Sequence, residues 1–284
     1  MTYQEPIGTL APPAALGAVA RLVDSVGERG FCEALAGAAT ACLNYDNLIV
    51  IAYSGAAPPR ELYRQSESPI CYEQVEATYL KSHYVFDPFY AAHLNRVPRG
   101  LYRLEDVSPD KFKSTAYYLE YYSQTTLTDE VALFAYTRTG WTITACFGRD
   151  HVSGKRFDRR QLAEFGKLAD VLCALMERHW AHFAPEPDER EATSDDLIDR
   201  LAARIAAEAG IELTRRQLEV GLLILQGHSS RSIALTLGVS WQTVKVFRKQ
   251  LYARCGISSQ GELFALMPPL LGDRAGSVAF DRRG

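Results

Sequence analysis

The chain has 284 residues, 47% hydrophobic and 23% charged, which suits two globular domains and excludes the low-hydrophobicity composition of a disordered chain. Its net charge of −3 is divided unevenly: residues 211–264 hold seven basic and three acidic side chains, a net of +4 against −7 elsewhere. The opening MTYQEPIGTLAPPAALG lacks a secretion signal, no run of about 18 apolar residues occurs, and six cysteines (32, 42, 71, 146, 173, 255) show no CxxC pairing. A soluble cytoplasmic chain with reduced thiols, no membrane contact and no structural zinc is expected.

In chain order, Leu16, Val19, Leu22, Val23 and Val26 follow a helical period, and FCEALAGAATACL reads as a second helix. DNLIVIAYS is rich in β-branched residues and ELYRQS alternates, with Gly55, Pro58 and Pro59 turning between them, so a hairpin is expected. Residues 70–122 read as helices broken near Pro88, Pro98 and Pro109. LTDEVALFAYT and WTITACFGR make a second strand pair about Thr139-Gly140. A helix from about Asp158 to His182 follows, with Leu162, Phe165, Leu168, Leu172, Leu175, Met176 and His179 on one stripe. His179 and His182 stand three apart with no Cys or carboxylate suitably close in sequence for a zinc set, so structural or surface roles are expected of them. The succession predicts an α+β unit over residues 1–184, with helices covering an antiparallel sheet in an α/β/α sandwich.

PEPDEREATSDD, residues 185–196, replaces apolar periodicity with prolines and acids and reads as a linker. Thr193 or Ser194 then caps a helix with Leu197, Ile198, Leu201 and Ile205 on one face and Gly210 as its stop, giving a linker and connecting helix over 185–210. Residues 211–270 form the next unit, and 271–284 are expected to be a disordered tail. In LTRRQLEVGLLILQG, Thr214 and Gln217 make a capping-box signature and Gly227 a stop. SSRSIALTLG is capped at Ser229 or Ser230 and ends at Gly238, and SWQTVKVFRKQLYARCG is capped at Ser240.

Two short helices joined by a tight glycine turn form a helix-turn-helix, whose second helix enters the DNA major groove. In that helix Val244, Phe247, Leu251 and Cys255 line the core side, while Lys245, Arg248, Lys249 and Tyr252 lie away from it and Trp241 and Gln242 occupy the first turn. From Val220 to Gly261, 42 residues hold five cations and no acid. A solvated face mixes signs, so an anionic partner is indicated.

The segment from Leu213 to Leu263 resembles the helix-turn-helix of the LuxR/FixJ/NarL group of bacterial transcription regulators. The matching features include Leu213-Thr214, Glu219-Val220, Gly227, Ile233-Ala234, Ser240, Thr243-Val244-Lys245, Gly256-Ile257 and Glu262-Leu263. The chain departs from the usual family residue at Ser230, Ser232, Phe247, Cys255 and Gln260. The resemblance implies a four-helix all-α domain, with Lys245, Val246 and Lys249 facing bases and Trp241, Gln242, Thr243 and Arg248 serving mostly the backbone. Arg231 is a further candidate contact. Partners implied are a double-stranded operator, a second copy of the chain and RNA polymerase.

Nine of the 15 tyrosines lie within residues 72–122. Such a cluster lines a pocket for an amphipathic small molecule or caps a sheet. In YLKSHYVFDPFY, Tyr84 and Asp87-Pro88 resemble positions of acyl-homoserine-lactone-binding domains, although the Tyr-to-Asp spacing differs; Asp before Pro is also an ordinary helix boundary. Tyr53, Tyr79, Tyr84, Asp87 and Trp141 are the candidate ligand residues. The element order is similar to a GAF- or PAS-type sensor. No GxGxxG, P-loop or GxSxG occurs, so no cofactor and no enzymatic activity are expected. The expected function is a DNA-binding regulator answering a small molecule, with a quorum-type signal one candidate. The alternative is a ligand-independent factor whose N-terminal unit only dimerises.

Overall fold

NLIVIAY is apolar almost throughout because β1 (Asn47–Tyr53) is an interior strand of a sheet covered on both faces. The computed structural model describes residues 13–151, 153, 154, 156–184 and 194–271. Residues 185–193 of the expected linker, with the candidate cap Thr193, and 272–284 of the expected tail lie outside the described residues.

β1 pairs with β2 (Arg60–Ser66) and with β5 (Thr142–Asp150); β5 pairs with β4 (Leu127–Tyr136) and β4 with β3 (Gly100–Arg103). All pairs are antiparallel, in the order β2-β1-β5-β4-β3. Both expected hairpins form. β3 corrects the helical reading of its segment: four residues show no period of their own, and the pairing of Leu101 with Leu133 makes them a strand.

Leu48, Val50, Leu133, Ile143 and Phe147 pack on one side against α1 (Pro13–Asp24), α2 (Phe31–Thr40) and α5 (Arg159–His179). The α5 stripe is as its period requires, and Asp158 caps it through the Arg160 and Gln161 amides. His179 has a structural task there: its Nδ1 accepts from the Gly27 amide at 3.0 Å and its ring stacks on Phe31 at 4.0 Å. On α1 the buried face is Ala15, Ala18 and Leu22, while Leu16 and Val23 are about half exposed. Small alanines let the helix sit close to α2, which turns the expected stripe partly outward.

Ile49, Ile51, Tyr53, Phe134 and Cys146 face the other way, under a covering wound from residues 69–124. It is made mostly of single turns. Val75–Tyr79 and Tyr117–Tyr121 are π-helical, and its α-helices are α3 (Pro88–Leu94) and the single turn α4 (Leu104–Val107).

The C-terminal part is helical: a connecting helix Ser194–Ala209, a scaffold helix Arg215–Gln226, a support helix Ser230–Leu237, a recognition helix Trp241–Cys255 and a closing helix Gln260–Leu271. Leu197, Ile198, Leu201 and Ile205 are buried, as their spacing required. Together with the sheet, this is an α+β protein.

The two parts touch. Phe264 packs on His83 and Phe86, Gln226 Nε2 donates to the Val85 carbonyl at 2.9 Å, and the Lys111 amide donates to the Gly227 carbonyl at 2.9 Å. Asp110 Oδ1 accepts from the Ser229 amide, also at 2.9 Å. No described helix is long and apolar enough to cross a membrane.

Candidate DNA interface and ligand cavity

The recognition helix is held at both ends by local chemistry. The Ser240 hydroxyl accepts from the Thr243 amide at 3.1 Å, and Gly256 ends the helix at φ +66°. The scaffold helix carries the reciprocal Thr214–Gln217 capping box and stops at Gly227, φ +100°; the support helix is capped by Ser229. Val244 and Leu251 are fully buried, with Phe247 and Cys255 half-buried beside them. Tyr252 corrects the expected outer face: its hydroxyl is buried and its ring packs on the core under the Arg248 guanidinium, 5.1 Å from the ring centroid. One residue past Leu251, it falls on the rim of the apolar stripe.

Burial and pairing sort the cations. Arg215 and Arg216 are taken up by Glu219, with Asp195 and Asp199 also against Arg215, and Arg254 donates to the Glu212 carbonyl. Lys245, Arg248 and Lys249 are exposed, and no ion pair among the described residues engages them. Lys245 Nζ lies 4.0 Å from the Trp241 ring centroid, and Trp241 and Val246 are about half exposed. Gln242 and Arg231 are also exposed, and Thr243 is half-buried with its hydroxyl on Ser240. A row of unanswered cations flanking an exposed Val suits phosphates, base edges and a thymine methyl.

The candidate ligand residues separate. Tyr53, Tyr79 and Asp87 meet at a small cavity of about 50 Å3 under the sheet. Tyr79 donates to Asp87 Oδ2 at 2.6 Å, which leaves its oxygen to accept from Tyr53 at 3.0 Å. Asp87 Oδ1 accepts from the Phe89 amide at 2.8 Å and so caps α3, with Pro88 at the first position. The helix-boundary reading of Asp-Pro therefore holds, and the same carboxylate also faces the cavity. Tyr84 is buried edge-on against Tyr90 and does not line the cavity. Trp141 lies on the opposite face of the sheet, stacked on Phe183 at 4.8 Å. It stands just before β5, where the strand's alternation sends it away from Tyr53 and Cys146.

Glu130 was not among the expected residues. It lies on β4 with Ala132 and Phe134 on the cavity side, 7% exposed, and its carboxylate meets the Tyr122 hydroxyl at 3.4 Å. The signal was present in LTDEVALFAYT, where alternation puts Glu130 on the same face as Ala132 and Phe134. Tyr117, Tyr121 and Tyr122, from the tyrosine cluster, complete this wall.

Burial raises the Asp87 pKa to about 6, against the Tyr79 and Phe89 hydrogen bonds that lower it. Burial first, then repulsion from Asp87, raises Glu130 to about 8. Both raised carboxyls contribute stability at low pH that is lost as pH rises through about 6 and about 8. Burial lowers His83 and His93 to about 4 from 6.5, so their contribution is lost as pH falls through that range. Between pH 8 and 6.5 Glu130 therefore acts with little opposition. Stability should rise on acidification across that window, by roughly 1 kcal/mol per pH unit. Chemical denaturation at several pH values measures it, and Glu130→Gln should flatten the slope.

A helix-turn-helix with an unpaired basic outer face, joined to a sheet domain with a tyrosine-lined cavity, defines a DNA-binding regulator. Residues 212–267 match the model of the luxR family of bacterial regulatory proteins, GerE. A chain of Aeromonas salmonicida named as an HTH-type transcriptional regulator in the exeN 3'region is 32% identical over 184 residues, 63% of this chain and 92% of that one. The crystal structure of the VqsR LBD domain from Pseudomonas aeruginosa aligns with a TM-score of 0.50 and 25% identity, over 61% of this chain and 100% of that one. Escherichia coli SdiA aligns at TM-score 0.41 and 14% identity, over 91% and 99%. The chain belongs to the LuxR family of bacterial transcription regulators.

Proposed function

We propose that the chain binds its operator with Lys245, Val246 and Lys249 on base edges and with Trp241, Gln242, Thr243, Arg248 and Arg231 mainly on the backbone. The N-terminal part binds a small amphipathic signal at Tyr53, Tyr79 and Asp87, and the regulator works in the cytoplasm as a homodimer that engages RNA polymerase. The carrying observation is the recognition helix, capped and anchored from beneath, with exposed cations that no described carboxylate answers. For the signal, support comes from the buried Tyr53–Tyr79–Asp87 chain at a cavity and from the likeness to the VqsR LBD domain. Its chemistry fits a donor group on Asp87 and an apolar body among the rings, and an acyl amide such as an acyl-homoserine lactone satisfies both.

One observation favours a ligand-independent factor: about 50 Å3 holds only a few waters, far below a ligand-sized pocket. On the sensing reading the rings part in a second state that ligand selects. A thermal-shift screen with acyl-homoserine lactones and producer-cell extracts separates the two. A ligand at 100 times its Kd should stabilise by about 2.7 kcal/mol, roughly 5–10 °C, and Asp87→Asn should abolish this while keeping the α3 cap. The absence of any shift across the screen would sink sensing and leave the dimeric factor.

A further inference from the structure

A second and much larger cavity, about 620 Å3, opens on the far side of Tyr122 and Glu130, which line both spaces. Its volume is within the range of small-molecule sites. One wall is aromatic: Phe112, Tyr118 and Tyr122 are in mutual ring contact, with centroids 5.5–6.1 Å apart. Two carboxylates in it are buried, and their situations differ. Asp129 is already engaged, accepting from the Phe157 amide at 3.0 Å and lying 3.6 Å from the Arg103 guanidinium. Among the described residues the Glu130 carboxylate has the 3.4 Å contact to the Tyr122 hydroxyl, and no cation pairs with it. The other charged groups of this cavity, Glu105, Asp110, Lys111, Lys113 and Arg156, are exposed, and Arg156 lies 4.0 Å from Glu105.

A carboxylate taken out of water without a partner is costly, and a bound cation is the group that offsets the cost. Aromatic faces beside it attract the same charge. We propose that this outer cavity is a second binding site, for a small organic amine whose ammonium is held by Glu130 and whose body lies against Phe112, Tyr118 and Tyr122. An ammonium offers three donors, so it can reach the carboxylate and still leave donors for neighbouring hydroxyls. With its pKa raised to about 8, Glu130 is largely protonated at neutral pH while it lacks a cation, and the ammonium binds as that proton is released. The site is distinct from the Asp87 cavity and stands without the signal proposed there.

The test uses the full-length chain and two probes that differ in one group: tyramine, and 4-ethylphenol, which has the same ring and carbon chain without the amine. Titration calorimetry at neutral pH should find tyramine about tenfold tighter. Glu130→Gln should erase the preference, and the variant should melt no lower than the parent at neutral pH, because a neutral amide replaces a carboxyl that burial already keeps largely protonated there. Tyr118→Leu, at a half-buried ring, should weaken tyramine binding while keeping the preference. Equal affinities, no tyramine binding, or a preference that survives Glu130→Gln would overturn the proposal. So would a preference removed by Asp87→Asn and not by Glu130→Gln, since the amine would then sit in the inner cavity. The lactone screen is a separate measurement, so either proposal can fail while the other stands.

Discussion

Replacing Lys245, Arg248 and Lys249 together by alanine should lower operator affinity by about 10²–10³-fold, while the melting temperature changes little. All three side chains are exposed on one capped helix, and none is engaged by an ion pair among the described residues, so alanine removes charge without opening the core. A base contact is worth about 1–3 kcal/mol, and each phosphate contact contributes about one unit to the salt slope. Three losses at the lower end of that scale give the stated factor. The single variants should divide the effect: Lys245→Ala and Lys249→Ala relax sequence preference, and Arg248→Ala weakens all sequences alike and reduces the salt slope. Fluorescence anisotropy on operator and scrambled DNA at several salt concentrations measures both. A folded triple variant that bound operator unchanged would refute the groove assignment.

The second large effect is expected at Gly227, where a helix stop and the junction of the two parts coincide. Its φ of +100° is a conformation that side-chain-bearing residues rarely adopt, and a Cβ there would lie 2.8 Å from Phe112 Cα and 2.9 Å from its nitrogen. Backbone cannot swing aside as a flexible side chain does, so Gly227→Ala must disturb the helix end, the docking loop, or both. Gly238 is the control. It ends the support helix at φ +64° with nothing within 4 Å of its Cβ position. Gly238→Ala should cost about 1 kcal/mol for the backbone alone, and Gly227→Ala roughly 2–3 kcal/mol, the excess reporting the contact with Phe112. Denaturant titration gives the two values, and proteolysis near Lys111 and Lys113 should accelerate only in Gly227→Ala. Equal costs would mean that the docking seen between Gly227 and Phe112 contributes nothing to stability.

The helix-turn-helix was legible because its signals are local. Thr214, Ser229 and Ser240 each accept the amide three residues along their own chain, and Gly227, Gly238 and Gly256 relieve a backbone conformation within a single turn. The spacing of Val244 and Leu251 then determines which side chains remain outside. Tyr252 escaped that reading because a stripe edge depends on how near the neighbouring helix comes.

The same kind of pattern located both hairpins, the α5 stripe and the buried face of the connecting helix. The tyrosine cluster and the resemblance of YLKSHYVFDPFY to lactone-binding domains brought Tyr53, Tyr79 and Asp87 together as candidates, but set beside them Tyr84 and Trp141, which the folded chain places elsewhere. Whether a residue near a sheet points up or down depends on strand register, and register is settled by pairing across the sheet.

What the sequence determined by itself is the outline of this protein: an α+β unit followed by a helix-turn-helix whose basic outer face is unanswered. Propensity, capping and apolar period act within a few residues and survive without knowledge of the rest of the chain. Only the tertiary structure decided that Gly100–Arg103 is a strand, that Glu130 is buried beside Asp87, that an outer cavity adjoins the inner one, and that Asp110 and Lys111 hold the turn around Gly227. Each of these joins residues far apart along the chain, where the deciding forces are burial and close packing between surfaces that no local pattern brings together.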